Sequence, residues 1–177
     1  IHTDVGGILH LALHANSEEG QDEYSFLAFE YNSDTIENQE DGILYAYETE
    51  QLKVNSPMVT LSACNTGSGK IYSGEGMMSL SRSFLKAGAS SVVHSLWNVN
   101  DDAGLKIMQS FYEYLHEGYS KNEALKKAKI NYINNSNPAS VHPSFWANYV
   151  ITGDVSPLVK NSGYTIYYIT GIILIIA

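Results

Sequence analysis

The apolar positions of this chain form short continuous runs that alternate with stretches of helical periodicity. The runs typical of buried strands are GILHLALH, YSFLAFEY, PMVTLSAC, SSVVHSLWNV and FWANYVITG. The periodic stretches predict amphipathic helices in GEGMMSLSRSFLKAG, DAGLKIMQSFYEYLHEG and SKNEALKKAKINYINN. Gly88 is expected to end the first of these helices, and ILYAYETEQL fits either a short helix or a strand. Strands separated by such helices predict an α/β fold with a mostly parallel sheet covered on both faces.

The last 15 residues, GYTIYYITGIILIIA, carry no charged side chain. As a helix they would reach about 22 Å, against roughly 30 Å for the hydrocarbon core of a bilayer. We expect residues 163–177 to begin a transmembrane helix, after a domain at 1–155 and a linker at 156–162. Lys160 then favours a domain on the cytoplasmic face of the membrane. The alternative is a buried strand, because the run is rich in Ile, Thr and Tyr.

Composition narrows the classes of partner. With 177 residues, 44% of them hydrophobic, the chain is expected to form one domain with a substantial core. Its net charge of −9 argues against a nucleic-acid partner and favours a basic peptide. The single cysteine, Cys64, has no partner for an internal disulfide.

Cys64 is followed by a glycine-rich loop that raises the question of phosphate binding. A phosphate-binding loop needs Gly where Cys64 stands and Ser or Thr where Ile71 stands. The dinucleotide pattern fails as well, because Tyr72 occupies the third glycine position. A nucleotide-binding domain is therefore disfavoured. What remains is a thiol at the carboxyl end of a predicted parallel strand, where open α/β sheets place their sites.

A thiolate nucleophile commonly works with a histidine that is distant in sequence. Of the six histidines, His14 lies at the exit of the strand HLALH, on the edge expected to carry Cys64. His10 lies inside that strand and is expected to be a buried histidine with satisfied hydrogen bonds. HLALH lacks the glutamate of a zinc-binding helix, and no metal site is predicted.

Three segments carry a resemblance to a known family. ILHLALHA resembles the histidine motif of the CHAT family of caspase-like proteins, LSACNTGSGKIYSGEGMMSLSRSFLKAGASSVVHSLWNVND resembles its cysteine motif, and HPSFWANYVITGD resembles its closing segment. The resemblance covers residues 8–154 and implies a caspase-like three-layer α/β sandwich with its first strands missing. It also implies an upstream regulatory module and a site that needs no metal or organic cofactor.

The resemblance implies a cysteine endopeptidase with His14 as general acid and base and Cys64 as nucleophile. The backbone N–H groups of Ala15 and Cys64 would form the oxyanion hole. The family commonly has Gly directly after the histidine, whereas Ala15 resists positive φ while keeping its N–H. This departure leaves open a catalytically silent scaffold that binds a protein partner or a peptide in the same groove.

Asp101 and Asp102 follow the strand SSVVHSLWNV at the edge expected to carry Cys64. In separase-like relatives an acidic residue near this point receives a basic P1 side chain. Together with the acidic balance of the chain, this predicts substrates with Arg or Lys at P1, held by a partly buried carboxylate. The alternative is that one of the two acids is simply the N-cap of the following helix.

Overall fold

The computed structural model describes residues 7–18, 21–29, 42–62, 75–158, 165–169 and 172–176. Its strands are β1 Leu9–Leu11, β2 His14–Glu18, β3 Gln21–Ala28, β4 Ile43–Tyr45, β5 Val59–Leu61, β6 Ser91–Ser95, β7 Tyr149–Gly153, β8 Thr165–Ile169 and β9 Ile172–Ile176. Its helices are α1 Ala46–Thr49, α2 Glu75–Lys86, α3 Asp101–His116, α4 Lys121–Asn135 and α5 Pro143–Trp146, with a short 3-10 helix at Pro138–Ser140.

The main sheet has the strand order β7-β6-β5-β1-β9-β8. Strand β5 pairs in parallel with both β1 and β6, and β7 is antiparallel to β6. This four-stranded part is the mostly parallel sheet that the sequence predicts. The predicted fold class is therefore confirmed: a mixed α/β structure compatible with a caspase-like three-layer sandwich.

The parallel strands separate two hydrophobic cores because successive side chains point to opposite faces of a sheet. Val92 belongs to the core beneath α2, and its neighbour Val93 belongs to the core beneath α3 and α4. The fully buried side chains of the first core include Leu61, Leu80 and Phe84; those of the second include Met58, Ile107 and Phe111. Strands covered on both faces explain the continuous apolar runs in the sequence.

A second sheet, with the order β2-β3-β4, is entirely antiparallel and was not predicted. The polar segment NSEEGQDE contributes residues to both β2 and β3. Antiparallel strands tolerate one solvated face, so a search for apolar runs finds the second half of β3, in YSFLAFEY, but misses β2. Helices α1 and α2 contact this sheet, which places it on the same side of the main sheet as α2.

Gly88 ends α2 as the sequence predicts. Its φ of +108° is one that other residues adopt only with strain. A Cβ at this position would also lie 3.2 Å from the carbonyl oxygen of Val54. Both observations explain why the helix stops at a glycine.

In the described part of residues 163–177 the expected transmembrane helix is not formed, and this expectation was wrong. Thr165–Ile169 and Ile172–Ile176 are strands, and β9 pairs antiparallel with β1. Across the described ranges, no helix is both long and apolar enough to cross a bilayer. The β-branched residues of the tail favour strands, and β1 provides an edge for them to join. The alternative of a strand was the correct one.

Candidate active site

The candidate site lies where β1 and β5 end side by side. Leu9, His10 and Leu11 pair in parallel register with Val59, Thr60 and Leu61. Beyond the last pair, the backbone N–H of Ser62 donates a 3.0 Å hydrogen bond to the carbonyl oxygen of Leu11. The segments that follow β1 and β5 therefore leave the sheet side by side, at the same carboxyl edge.

Both predicted catalytic residues follow this edge at the same distance along the chain. His14 comes three positions after Leu11, and Cys64 comes three positions after Leu61. His14 is the first residue of β2 and pairs with Ala28 of β3. Cys64 belongs to residues 63–74, which lie outside the described part of the chain. The contact between the two side chains therefore stays a prediction.

Ala15, the residue expected to donate to an oxyanion, lies within β2 in register with Leu27. Among the described residues, none other than glycine has a positive φ. Ala15 thus has a backbone conformation that alanine adopts without strain. The change from Gly to Ala carries no backbone penalty in this structure, and the N–H is retained.

His10 is the centre of a buried hydrogen-bonded group of side chains. Its Nε2 lies 2.6 Å from the Ser62 hydroxyl, and its Nδ1 lies 2.9 Å from the Tyr112 hydroxyl. The same Tyr112 hydroxyl lies 2.9 Å from the hydroxyl of Thr60. Burial lowers the pKa of His10 to about 4, so the ring is neutral at physiological pH. The expectation of a satisfied histidine inside the strand is confirmed.

Sequence reasoning did not connect His10 to its partners. Tyr112 lies on α3, 102 positions away in the chain, and no local pattern links the two residues. Thr60 and Ser62 did leave a signal, because they are polar residues at alternate positions of an otherwise apolar strand. Alternate positions share one face, and here that face meets Tyr112.

Asp101 and Asp102 lie in the first turn of α3, and both side chains are exposed. The N-cap is Asn100, whose side chain accepts a 3.1 Å hydrogen bond from the N–H of Ala103, so the alternative that one of the two acids caps the helix was wrong. The expected partial burial of a carboxylate is not observed either. Asp102 pairs at 2.7 Å with Lys106, one turn along the helix, and this hydrogen bond raises the pKa of Lys106.

Asn148 is a further polar residue near this edge that the sequence did not single out. It is completely buried, and its carbonyl oxygen accepts a hydrogen bond from the N–H of Leu96, just beyond β6. Its side-chain amide has no hydrogen-bond partner within the part of the chain that the structure describes. The same described residues contain no cluster of three His, Cys, Asp or Glu side chains that could hold a metal ion.

Comparison with known proteins agrees with this architecture. The chain belongs to the CHAT domain family, a caspase-like family, because the family model for the CHAT domain matches residues 2–154. Similar proteins include Tetratricopeptide repeat protein 28 from Mus musculus, 31% identical over 111 residues, and its counterpart from Homo sapiens, 32% identical over 111 residues. Each alignment covers 63% of this chain but only 4% of the relative, so the chain spans a small part of the length of these proteins.

Proposed function

We propose that this domain is a cysteine endopeptidase whose catalytic pair is His14 and Cys64. The observation that carries the proposal is the register of Leu11 and Leu61 at the carboxyl ends of two adjacent parallel strands. Each candidate residue follows its strand by the same three positions, so both segments leave one edge of the sheet together. Carboxyl edges of parallel strands are where α/β folds place catalytic residues.

The reaction proceeds in two steps of acyl transfer. The Cys64 thiolate attacks the scissile carbonyl carbon, and His14 protonates the leaving amine as the peptide bond breaks. His14 then removes a proton from water, which attacks the thioester, releasing the carboxylate product and regenerating the thiol. Backbone N–H groups of Ala15 and Cys64 bind the oxyanion, an interaction that contributes about 3 to 4 kcal/mol per donor.

We propose that the substrates are peptides with Arg or Lys at P1, bound through Asp101. Asn100 caps α3, so neither acid is used for that purpose. Asp102 is already paired with Lys106, which makes Asp101 the better candidate for a second cation. The chain's net charge of −9 favours the approach of a basic peptide.

The relatives support a repeat-containing module upstream of this domain in its full-length protein. Their names refer to tetratricopeptide repeats, and the matched segment is a small part of each. Repeat arrays present extended surfaces that bind other proteins. We propose that such a module binds a protein partner and controls access of substrate to the site.

The second candidate function is a silent scaffold that binds a peptide at the same edge without cleaving it. The observation that favours it is Ala15 where the family commonly has Gly, because a methyl group would crowd an approaching carbonyl even on an unstrained backbone. The two functions make different predictions about the reactivity of the chain's single cysteine.

A peptide probe with Arg at P1 and a thiol-reactive carbonyl warhead tests the proposal. The endopeptidase is expected to label stoichiometrically at Cys64, and labelling is expected to fail for Cys64→Ala and fall sharply for His14→Ala. Lys86→Ala, an exposed change at the end of α2, serves as the control for handling and folding. Tight binding of the peptide without any labelling would favour the scaffold, and labelling that is independent of His14 would contradict the dyad.

A further inference from the structure

We infer that His10 is a positioning residue for the proposed endopeptidase, acting through Ser62 to hold the chain that leads to Cys64. This inference rests on the proposed function. His10 is not itself expected to touch the substrate, because it lies within β1 with both ring nitrogens engaged. It would affect the reaction by holding Ser62, the residue directly after β5.

The contact between His10 and Ser62 is directed toward the catalytic edge. His10 lies opposite Thr60 in the register of the two strands, yet its Nε2 reaches past that position to the Ser62 hydroxyl at 2.6 Å. Ser62 is two positions before Cys64. The imidazole therefore fixes the last described residue before the candidate nucleophile, beyond the final strand pair.

Tyr112 fixes the orientation of the imidazole from the helical layer. Its hydroxyl donates to Thr60 and, with that proton used, accepts from Nδ1–H of His10. This assignment leaves Nε2 of His10 as the acceptor for the Ser62 hydroxyl. The rings of His10 and Tyr112 also lie in contact, with centroids 5.6 Å apart. The imidazole is thus held by α3 on one side and by β5 on the other.

The position of this group argues for a role beyond general stability. Backbone hydrogen bonds pair β1 with β5, and this pairing does not depend on the polar side chains of His10 and Thr60. Replacing a complete set of buried polar side chains by apolar ones of the same shape is often nearly neutral for stability. A buried hydrogen-bond network instead favours one conformation of the backbone that it contacts. Here that backbone is the segment at Ser62, which leads to Cys64.

The experiment compares His10→Leu, His10→Gln, Tyr112→Phe and Ser62→Ala with the wild-type full-length protein. Each is assayed for kcat and KM on an Arg-P1 peptide and for the rate of Cys64 alkylation by iodoacetamide at neutral pH. His10→Leu and Ser62→Ala are expected to lower kcat roughly ten- to a hundredfold, with KM unchanged, as a misplaced nucleophile does. His10→Gln, which keeps hydrogen-bonding groups, is expected to recover part of kcat, and Tyr112→Phe is expected to lie between wild type and His10→Leu.

The matched control is Ser91→Ala. Ser91 is also buried and donates a 2.9 Å hydrogen bond to the carbonyl oxygen of Pro57, at the opposite end of β6 from the site. It is expected to lower the melting temperature while leaving kcat and the alkylation rate unchanged. If the His10 and Ser62 variants changed kcat no more than Ser91→Ala did at equal stability, the positioning role would be overturned.

Alkylation separates failure of this inference from failure of the proposed function. The chain has a single cysteine, so iodoacetamide reports on Cys64 without any substrate. Its rate depends on thiolate character, which a correctly placed histidine increases. If the wild-type protein cleaved no peptide, the proposed function would fail, whereas a roughly threefold or larger drop in alkylation for His10→Leu would still support positioning. An unchanged alkylation rate would contradict it.

Discussion

Nδ1 of His10 on β1 lies 2.9 Å from the hydroxyl of Tyr112 on α3. This contact crosses from the sheet to the helical layer and joins parts of the chain that are 102 positions apart. The imidazole it holds is buried, and burial lowers its pKa from 6.5 to about 4. The folded protein therefore keeps this ring neutral, and its stability depends on pH for that reason.

We predict that the free energy of unfolding falls as the pH drops from 6.5 to 4. In this window the unfolded chain binds a proton at His10 that the folded protein does not accept, so protonation favours unfolding. The free energy of unfolding is expected to be about 3 kcal/mol higher above pH 6.5 than at low pH, and this difference is lost as the pH falls toward 4. His94, whose pKa is also lowered by burial, contributes in the same direction.

Urea unfolding of wild type and His10→Gln at several pH values checks this prediction. The variant lacks the titrating ring, so its stability is expected to depend less steeply on pH while the contribution of His94 is retained. Parallel pH profiles for the two proteins would show that His10 is not the group responsible.

We predict that Lys121→Ala destabilises the fold by about 2 kcal/mol. Nζ of Lys121 donates to the carbonyl oxygen of Asp154 at 3.0 Å and lies 3.3 Å from its carboxylate. Only 2% of the lysine side chain is exposed, so its aliphatic stem also contributes to packing. Thermal and urea unfolding measure the loss.

The control is Lys106→Ala, which removes an ion pair of similar chemistry from the surface. The side chains of Lys106 and Asp102 are 59% and 70% exposed, so solvent screens this pair and its loss is expected to change stability much less than the loss of Lys121. Equal losses for the two lysine variants would mean that the bond to Asp154 does not anchor α4 to the end of β7.

We predict that Asp101→Asn lowers kcat/KM for Arg-P1 peptides roughly tenfold, because a charge-assisted hydrogen bond is lost. Asp102→Asn is expected to have a smaller effect, since that carboxylate is already engaged by Lys106. A P1-randomised peptide library and steady-state kinetics measure which of the two variants loses more kcat/KM for basic P1 residues. Unchanged basic preference in the Asp101→Asn/Asp102→Asn double variant would exclude both residues as P1 determinants.

We predict that deleting residues 163–177 lowers the melting temperature and promotes self-association. Strand β9 covers the edge of β1, and its removal leaves unpaired backbone groups on a central apolar strand. Calorimetry and size-exclusion chromatography over a range of concentrations test this. A truncated protein with an unchanged melting temperature and elution volume would show that the β8–β9 pair contributes nothing to the sheet.

Sequence patterns predict β5, β6 and β7 and helices α2 to α4 within a few residues. The signal is clearest for β5 and β6, which are buried along their whole length, and for α2 and α3, which are strongly amphipathic. The tail shows the limit of such reasoning. An uncharged apolar run fits a membrane helix or a buried strand, and the choice is decided by pairing with β1, a contact over more than 160 positions. Strand β2 is missed because a polar strand leaves no apolar run, whereas YSFLAFEY predicts the second half of β3.

The residues of the candidate site likewise fall into those that the sequence identifies and those that only the structure shows. His14, Cys64 and Asp101 can be singled out from the sequence because they belong to contiguous motifs that resemble a known family. The group formed by His10, Ser62 and Tyr112 cannot, because its members lie on β1, just after β5 and on α3. Likewise, Asn100 as the N-cap of α3 was missed because three acceptable capping residues stand in a row.

His14 and Cys64 each follow a paired strand residue, Leu11 or Leu61, by three positions. Their expected proximity therefore depends on these two short segments and not on the rest of the chain between them. An insertion or deletion in residues 30–41, between β3 and β4, leaves both exits unchanged. One extra residue between Leu61 and Cys64 adds about 3.5 Å of chain on one side alone. An insertion or deletion within either stretch of three residues, 12–14 or 62–64, is therefore expected to move one member of the proposed catalytic pair away from the other.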